Sequence, residues 1–281
     1  MNAPLHSNLL QQPLRDVSAW AQHFMRSEIP VLGETADTLE ALRLNEDAVD
    51  ANLLGETISG DPLMTLKVMA HVSTHRSSRR VTDAETVTAA LVLLGISPFF
   101  RTFGPQPTIE ERLADLPGAL DGLQAVLHRA GRAAKFALGF AVHRMDHDAA
   151  VIHQAALLHD FAEMLLWCHA PALALEIAAR QQADPSLRSA VVQHEVLNIE
   201  LADLQQALMR AWRLPELLIR MNDDKHAHTA QVRNVLLAIR LARHSARGWD
   251  NAALPDDLAD IAQLLNLGLE PTIKLVHQLD D

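Results

Sequence analysis

The amino-acid sequence predicts an all-α protein, a multi-helical bundle, from three observations. Apolar residues make up 49% of the 281-residue chain, and Ala and Leu, both strong helix formers, dominate them. Aromatic residues are only 4%, with no tyrosine, and runs rich in β-branched or aromatic residues are few. Along most of the chain, apolar positions recur at the 3.6-residue spacing of a helix with one buried face.

The elements follow in order. Spacing over 14–26 predicts a short amphipathic helix, which Ile29-Pro30-Val31 ends. Helical spacing returns over 34–44 and 47–58. Gly60-Asp61-Pro62 marks a start. The Asp61 carboxylate suits an N-cap, and Pro62 lacks an N–H where the first turn needs none. Leu63, Leu66, Val68 and Met69 form the apolar face. Thr82 and Glu85 have capping-box spacing, Val87, Leu91 and Leu94 follow, and Gly95 closes that helix. The stretch 104–118 holds Pro105, Pro107 and Pro117 between glycines, and is read as the join between an N-terminal sub-bundle and the rest. A long helix is predicted over 120–142, with Leu123, Val126, Leu127, Ala130, Ala134 and Ala137 on one stripe; its alanines imply close helix packing. Asp146 or Asp148 is placed to cap a helix entering 149–158. Further helices are predicted over 171–182, 185–208, 215–221, 229–247, 255–265 and 270–279. These readings divide the chain into an N-terminal helix (1–26), a main helical domain (27–226) and C-terminal helices (227–281).

Charge and composition bound the function. The formal net charge is −11 and the pI near 5.7, which does not suit a nucleic-acid or anionic-membrane partner. Cys168 is the only cysteine, so neither an internal disulfide nor a Cys-based zinc site can form, and a reducing, cytoplasmic setting is expected. Residues 1–14 lack the pattern of a signal peptide, and no run of about 20 apolar residues marks a membrane span. No serine-nucleophile motif, phosphate loop or zinc-protease motif occurs.

One segment carries chemical information: Ala155-Ala156-Leu157-Leu158-His159-Asp160. Adjacent His and Asp offer one nitrogen and one oxygen ligand to a metal, and His128 lies 31 residues earlier on the long helix. On the same helix His128, Arg132 and Lys135 share a face, as a candidate anion site. His143 and His147 are also spaced i, i+4, but with no third ligand in view, and Arg76, Arg79 and Arg80 read as solvated loop charges. Glu163, Trp167 and Trp212 are candidates to line a groove, although Trp212, between Leu208 and Leu214, reads better as a core anchor.

The landmarks around His159-Asp160 resemble the HDOD family, a signalling branch related to the HD phosphohydrolase superfamily. They are Ile29-Pro30, Ser59-Gly60-Asp61-Pro62 before a helix, the helix end at Ala89 to Gly95, and Trp212-Arg213-Leu214-Pro215. They fall in that family's order over roughly 27–226. The resemblance implies an HD-related helical bundle in which His128, His159 and Asp160 are the vestige of a metal site. The departures fit a vestige. Ala162 and Glu163 stand where hydrolytic HD enzymes carry Gly-Lys, and Leu201 replaces a His often found before the Trp. Asn222, Asp223 and Asp224 occupy the stretch where a His pair is common, with His226 beyond. The later helix that should supply a metal-binding Asp offers Arg240 and no acid.

The resemblance therefore implies a non-catalytic bacterial signal-transduction or scaffold protein. No catalytic residue and no cofactor are expected. The chain has no room for a receiver or cyclic-dinucleotide-signalling domain and is expected to act in trans. Its partner would be a signalling protein, or a cyclic dinucleotide or other nucleotide, bound in a groove between helical sub-bundles. The alternative is a metal-dependent phosphohydrolase acting on a nucleotide or phosphoester. There His128, His159 and Asp160 would hold a divalent metal, with Asp223 or Asp224 completing the shell.

Overall fold

A computed structural model of the chain describes residues 9–75, 83–184 and 186–280. The described residues form helices α1 (Val17–Arg26), α2 (Gly33–Arg43), α3 (Ala51–Ser59), α4 (Pro62–Thr74), α5 (Val87–Leu94), α6 (Ile96–Thr102), α7 (Ile109–Arg112), α8 (Pro117–His143), α9 (Ala149–Leu157), α10 (Phe161–His169), α11 (Pro171–Ala183), α12 (Ser189–Leu197), α13 (Leu201–Ala211), α14 (Glu216–Met221), α15 (Ala230–His244), α16 (Leu254–Leu265) and α17 (Leu269–Asp280). No strand occurs among them, only an isolated parallel bridge between Val31 and Thr108. No single helix among them is long and apolar enough to cross a membrane.

Two compact units divide the chain. The first holds residues 1–126 and 160–214, the second 127–159 and 215–281. This differs from the division expected from sequence. The stretch 104–118 lies inside the first unit, because long-range hydrogen bonds tie it down. Val31 N–H donates to the Pro107 carbonyl (3.0 Å) and Ile109 N–H donates to that of Val31 (2.9 Å). Arg43 reaches the Phe103 carbonyl at 3.0 Å. Helix α1 also belongs to this unit. It packs on α13, and the fully buried Trp20 donates its indole N–H to the Leu197 carbonyl at 3.0 Å.

Local chemistry explains several helix starts. Asp16, Asp50, Asp61 and Thr86 cap α1, α3, α4 and α5, each accepting from a backbone N–H of the first turn. Thr108 and Glu111 form a reciprocal capping box on α7. The proposed Thr82 cap lies outside the described residues, as do Arg76, Arg79, Arg80 and Pro185. The helix expected over 185–208 is two helices. Asn198 adopts φ 63° between them, a left-handed conformation that asparagine tolerates better than most residues. Asp146 pairs with Arg144 at 3.0 Å, and Asp148 occupies the N-cap position of α9 without a side-chain cap bond.

In the first unit α10 packs on α4, α11 and α13, and Trp20, Phe24, Phe99 and Phe161 are fully buried. Gly122 is required where α8 meets α10: a β-carbon there would lie 2.3 Å from the Trp167 ring. In the second unit α15 packs on α9, α14 and α16, with α17 against α16. Phe136 and Phe140 of α8 are buried there, and Asn234 of α15 donates to the Ala137 carbonyl at 3.2 Å. A β-carbon at Gly139 would lie 2.4 Å from Leu279. Small residues on α8 thus permit close approach in both units, as its alanine content predicts.

The first unit also buries an imidazole. Arg112 donates to Nδ1 of His169 (2.9 Å) and to the Cys168 carbonyl (2.6 Å). His169 is 1% exposed, and its Nε2 has no hydrogen-bond partner. Burial, then the charges of Arg112 and His23, push its pKa from the usual 6.5 down to about 3. The imidazole is thus neutral when folded and protonates readily when unfolded. Its contribution to stability is complete above the unfolded pKa near 6.5 and is lost as pH falls toward 3. Urea unfolding between pH 7 and 4 should show stability falling by up to about 1.4 kcal/mol per pH unit from this group. His169→Gln should flatten that slope, and an unchanged slope would count against the assignment.

Candidate functional site

His159 follows α9, in the turn before α10, where its N–H donates to the Ala156 carbonyl at 3.3 Å. It lines a cavity of 390 Å³ in the second unit. Helix α15 forms most of the wall with Arg233, Leu237, Arg240 and Arg243, and α16 adds Asp260. The spacing 233, 237, 240 places these side chains on one helix face, and 243 continues it one turn further. Leu236 and Ile239 extend the apolar part of the lining.

The carboxylates of this unit approach from α16. Asp257, fully buried, receives Arg240 Nη2 at 2.6 Å and also pairs with the His244 imidazole. Asp260 accepts from Arg240 Nη1 at 3.1 Å and lies 4.0 Å from Arg233. Arg233 donates to Gln263 Oε1 at 2.5 Å. Helix α15, where the family resemblance implies a metal-binding acid, carries Arg240 and no acid. The structure places that guanidinium on the same cavity as His159.

The other candidate residues are not assembled there. His128 is exposed on α8. Asp160 holds the N-cap position of α10 without capping it, and the division between units falls between His159 and Asp160. Among the described residues, no three His, Cys, Asp or Glu side chains are grouped so as to hold a metal ion. His143 ends α8 and His147 follows it, both exposed. Asp223 lies 3.4 Å from His226; nothing is described of the Asp224 side chain.

The expected anion face of α8 is organised differently. Arg132 meets Asp280 as a fork, with Nε–Oδ1 2.7 Å and Nη2–Oδ2 2.8 Å, and donates to Ser245 Oγ at 2.9 Å. The anion it holds is therefore one of the chain's own carboxylates, and Lys135 stands exposed beside it. Trp167 and Trp212 are both buried, Trp212 against Phe161 with ring centroids 5.9 Å apart. They are core residues of the first unit, not groove walls. Cys168 is fully buried, and burial pushes its thiol up to about 12, so it is inert packing.

Residues 29–228 match the HDOD domain family. The chain belongs to the HDOD family. No curated protein sequence matches it. Among solved structures it is similar to the response regulator MmoQ of Methylococcus capsulatus, at 20% identity and TM-score 0.66, covering 90% of this chain and 99% of that one. It is also similar to a virulence factor of Campylobacter jejuni, at 16% identity and TM-score 0.62, covering 93% and 97%. At these identities the likeness concerns the fold.

The HDOD landmarks now have structural roles. Ile29-Pro30-Val31 leads into the Val31–Thr108 bridge, and Asp61 is the buried cap of α4. Trp212 ends α13, and Arg213 turns the chain with φ 55°. In this HDOD chain the cavity beside His159 is lined by Arg233 and Arg243 as well as Arg240, and the first two were not singled out from sequence. Their spacing along α15 was the available signal. The carboxylates that brace α15, Asp257 and Asp260, come from a later helix, which α15's own spacing does not reveal.

Proposed function

We propose that this HDOD protein is a non-catalytic signal-transduction module that acts by binding, with a signalling protein as its partner. The observation that carries this reading is the wall of the cavity beside His159, which α15 lines with Arg233, Arg240 and Arg243 and with no carboxylate of its own. A divalent ion at His159 would share the cavity with three guanidiniums, and the nearby carboxylates, Asp257 and Asp260, are already engaged by Arg240; an uncompensated unit-charge pair at ~4 Å and an effective dielectric near 20 costs about 4 kcal/mol. A catalytic metal needs about three protein ligands and an open position for water, and the chain's His128 is exposed on α8. Function then resides in surfaces rather than in bond-breaking.

His159→Ala should lower stability by about 1 kcal/mol through loss of the interactions of a half-buried imidazole, and on this reading it should remove no phosphodiesterase activity. Metal content and phosphodiesterase turnover of protein purified without added metal test this together with the variant. Near-stoichiometric manganese, iron or nickel, with turnover abolished by His159→Ala, would overturn the reading in favour of a metal-dependent phosphohydrolase. Affinity capture from the native cell extract, followed by reconstitution with the purified partner, tests the scaffold role directly.

A further inference from the structure

The second unit gathers cations against the trend of the whole chain. The formal net charge is −11, yet the cavity lining carries Arg233, Arg240 and Arg243 against the carboxylate of Asp260, with the buried Asp257 paired to Arg240. Two of these guanidiniums are held by partners on the same unit. Arg240 is braced from behind by the fully buried Asp257 and by Asp260, at 2.6 and 3.1 Å. Arg233 is braced by Gln263 at 2.5 Å. A guanidinium has five N–H donors in a fixed fork, so one hydrogen bond to Asp260 and an ion pair with Asp257 leave Arg240 donors for a ligand.

The lining selects a ligand class. Arginine forks match the oxygens of phosphate, and a wall with more guanidiniums than carboxylates suits an anionic group. Leu236, Leu237 and Ile239 offer an apolar surface beside them, which inorganic phosphate alone would leave uncovered. A volume of 390 Å³ lies near the lower end of small-molecule sites, which span roughly 300–1,000 Å³. That admits a mononucleotide-sized molecule and excludes a polymer, whose approach the net charge also opposes.

We propose that this cleft binds a small phosphomonoester, with its phosphate on the α15 arginines and its apolar or aromatic body along Leu236 and Leu237. The proposal rests on the non-catalytic reading only in that the ligand is held without being cleaved.

Calorimetric titration of the full chain with adenosine monophosphate, inorganic phosphate and adenosine tests it, with released phosphate measured in parallel. Saturable binding of the monophosphate is expected, tighter than that of phosphate, weakened by salt and absent for adenosine. The double variant Arg233→Gln/Arg243→Gln leaves the Arg240–Asp257 pair intact, and its folding is checked by circular dichroism. It should weaken binding by about tenfold or more, the effect of losing charge-assisted hydrogen bonds. If that variant unfolds, Arg243→Lys serves instead: it keeps the charge, loses the fork and should still weaken binding. No binding by the wild-type chain, binding unchanged in the folded variants, or equal binding of adenosine would overturn the site. Phosphate binding as tightly as the monophosphate would overturn the ester assignment. Binding accompanied by phosphate release would support the site and overturn the non-catalytic reading instead. Absence of both would remove the site and leave that reading standing.

Discussion

Trp212→Ala should destabilise the protein by about 3–5 kcal/mol, the range for removing a large buried aromatic side chain from a core. Trp212 is 7% exposed at the end of α13. Its ring lies tilted against Phe161, which is fully buried at the start of α10. Its carbonyl accepts from Thr74 Oγ1 at 3.4 Å, so the residue links the ends of α13 and α4 to the base of α10. Alanine would leave a void the size of an indole between helices that cannot all collapse into it. Trp212→Phe keeps an aromatic contact with Phe161 and should cost distinctly less, on the order of 1–2 kcal/mol. Urea unfolding of the three proteins, with comparable m-values, measures the difference. Equal stability of the alanine variant would mean that the Trp-x-Leu-Pro landmark of this chain serves a surface and not the core.

That landmark is legible in sequence because local rules and burial agree there: a large aromatic sits between two leucines, and a proline then precedes the next helix. The same agreement made Gly60-Asp61-Pro62 readable as a helix start and Gly95 as a helix end. Reading failed where a local signal has more than one structural use. Prolines and glycines over 104–118 punctuate the chain, and punctuation suggests a linker. Here they shape a segment whose backbone pairs with Val31, and nothing local records that pairing. Asn198 splits a predicted helix because asparagine tolerates positive φ, a tolerance that helical spacing alone does not score.

The candidate site shows the same limit more sharply. His159 and Arg240 were found from sequence, and the structure places both on one cavity. Arg132 shares a face of α8 with His128 and Lys135, which makes it a candidate anion site in sequence. Its carboxylate partner, Asp280, is near the far end of the chain, and only the fold brings the two together. Asp257 is the converse case. An aspartate in the first turn of α16 looks like an ordinary favourable helix-start charge, yet the fold buries it completely beneath Arg240 and His244. Ionic partners distant in sequence decide which arginines face a cavity and which are already neutralised.

Asp61→Ala should cost about 3 kcal/mol, because the lost carboxylate leaves several buried N–H groups without an acceptor at about 1–3 kcal/mol each, with overlap between them. Asp61 has no solvent exposure. Its Oδ1 accepts from Leu63 and Met64 N–H, at 2.9 and 3.0 Å, which caps α4. Its Oδ2 accepts from Leu32 N–H at 2.9 Å, at the start of α2, a helix whose own N-cap residue is Leu32 and supplies no side-chain acceptor. Only the first of these roles follows from the Asp-Pro signal. The second makes one carboxylate serve two helix starts, so its removal should exceed the roughly 1 kcal/mol typical of a lost cap. Burial pushes the Asp61 carboxyl above the usual carboxylate range, against the lowering by its hydrogen-bond donors. What the geometry shows the site using is both acceptor oxygens. Asp61→Asn retains one oxygen but turns an amide toward the donors of the other side, and should fall between wild type and alanine, at about 1–2 kcal/mol. Urea unfolding orders the three proteins, and hydrogen exchange at Leu32 separates the two roles. Loss of protection at Leu63 and Met64 with Leu32 unchanged would show that the second helix start does not depend on Asp61.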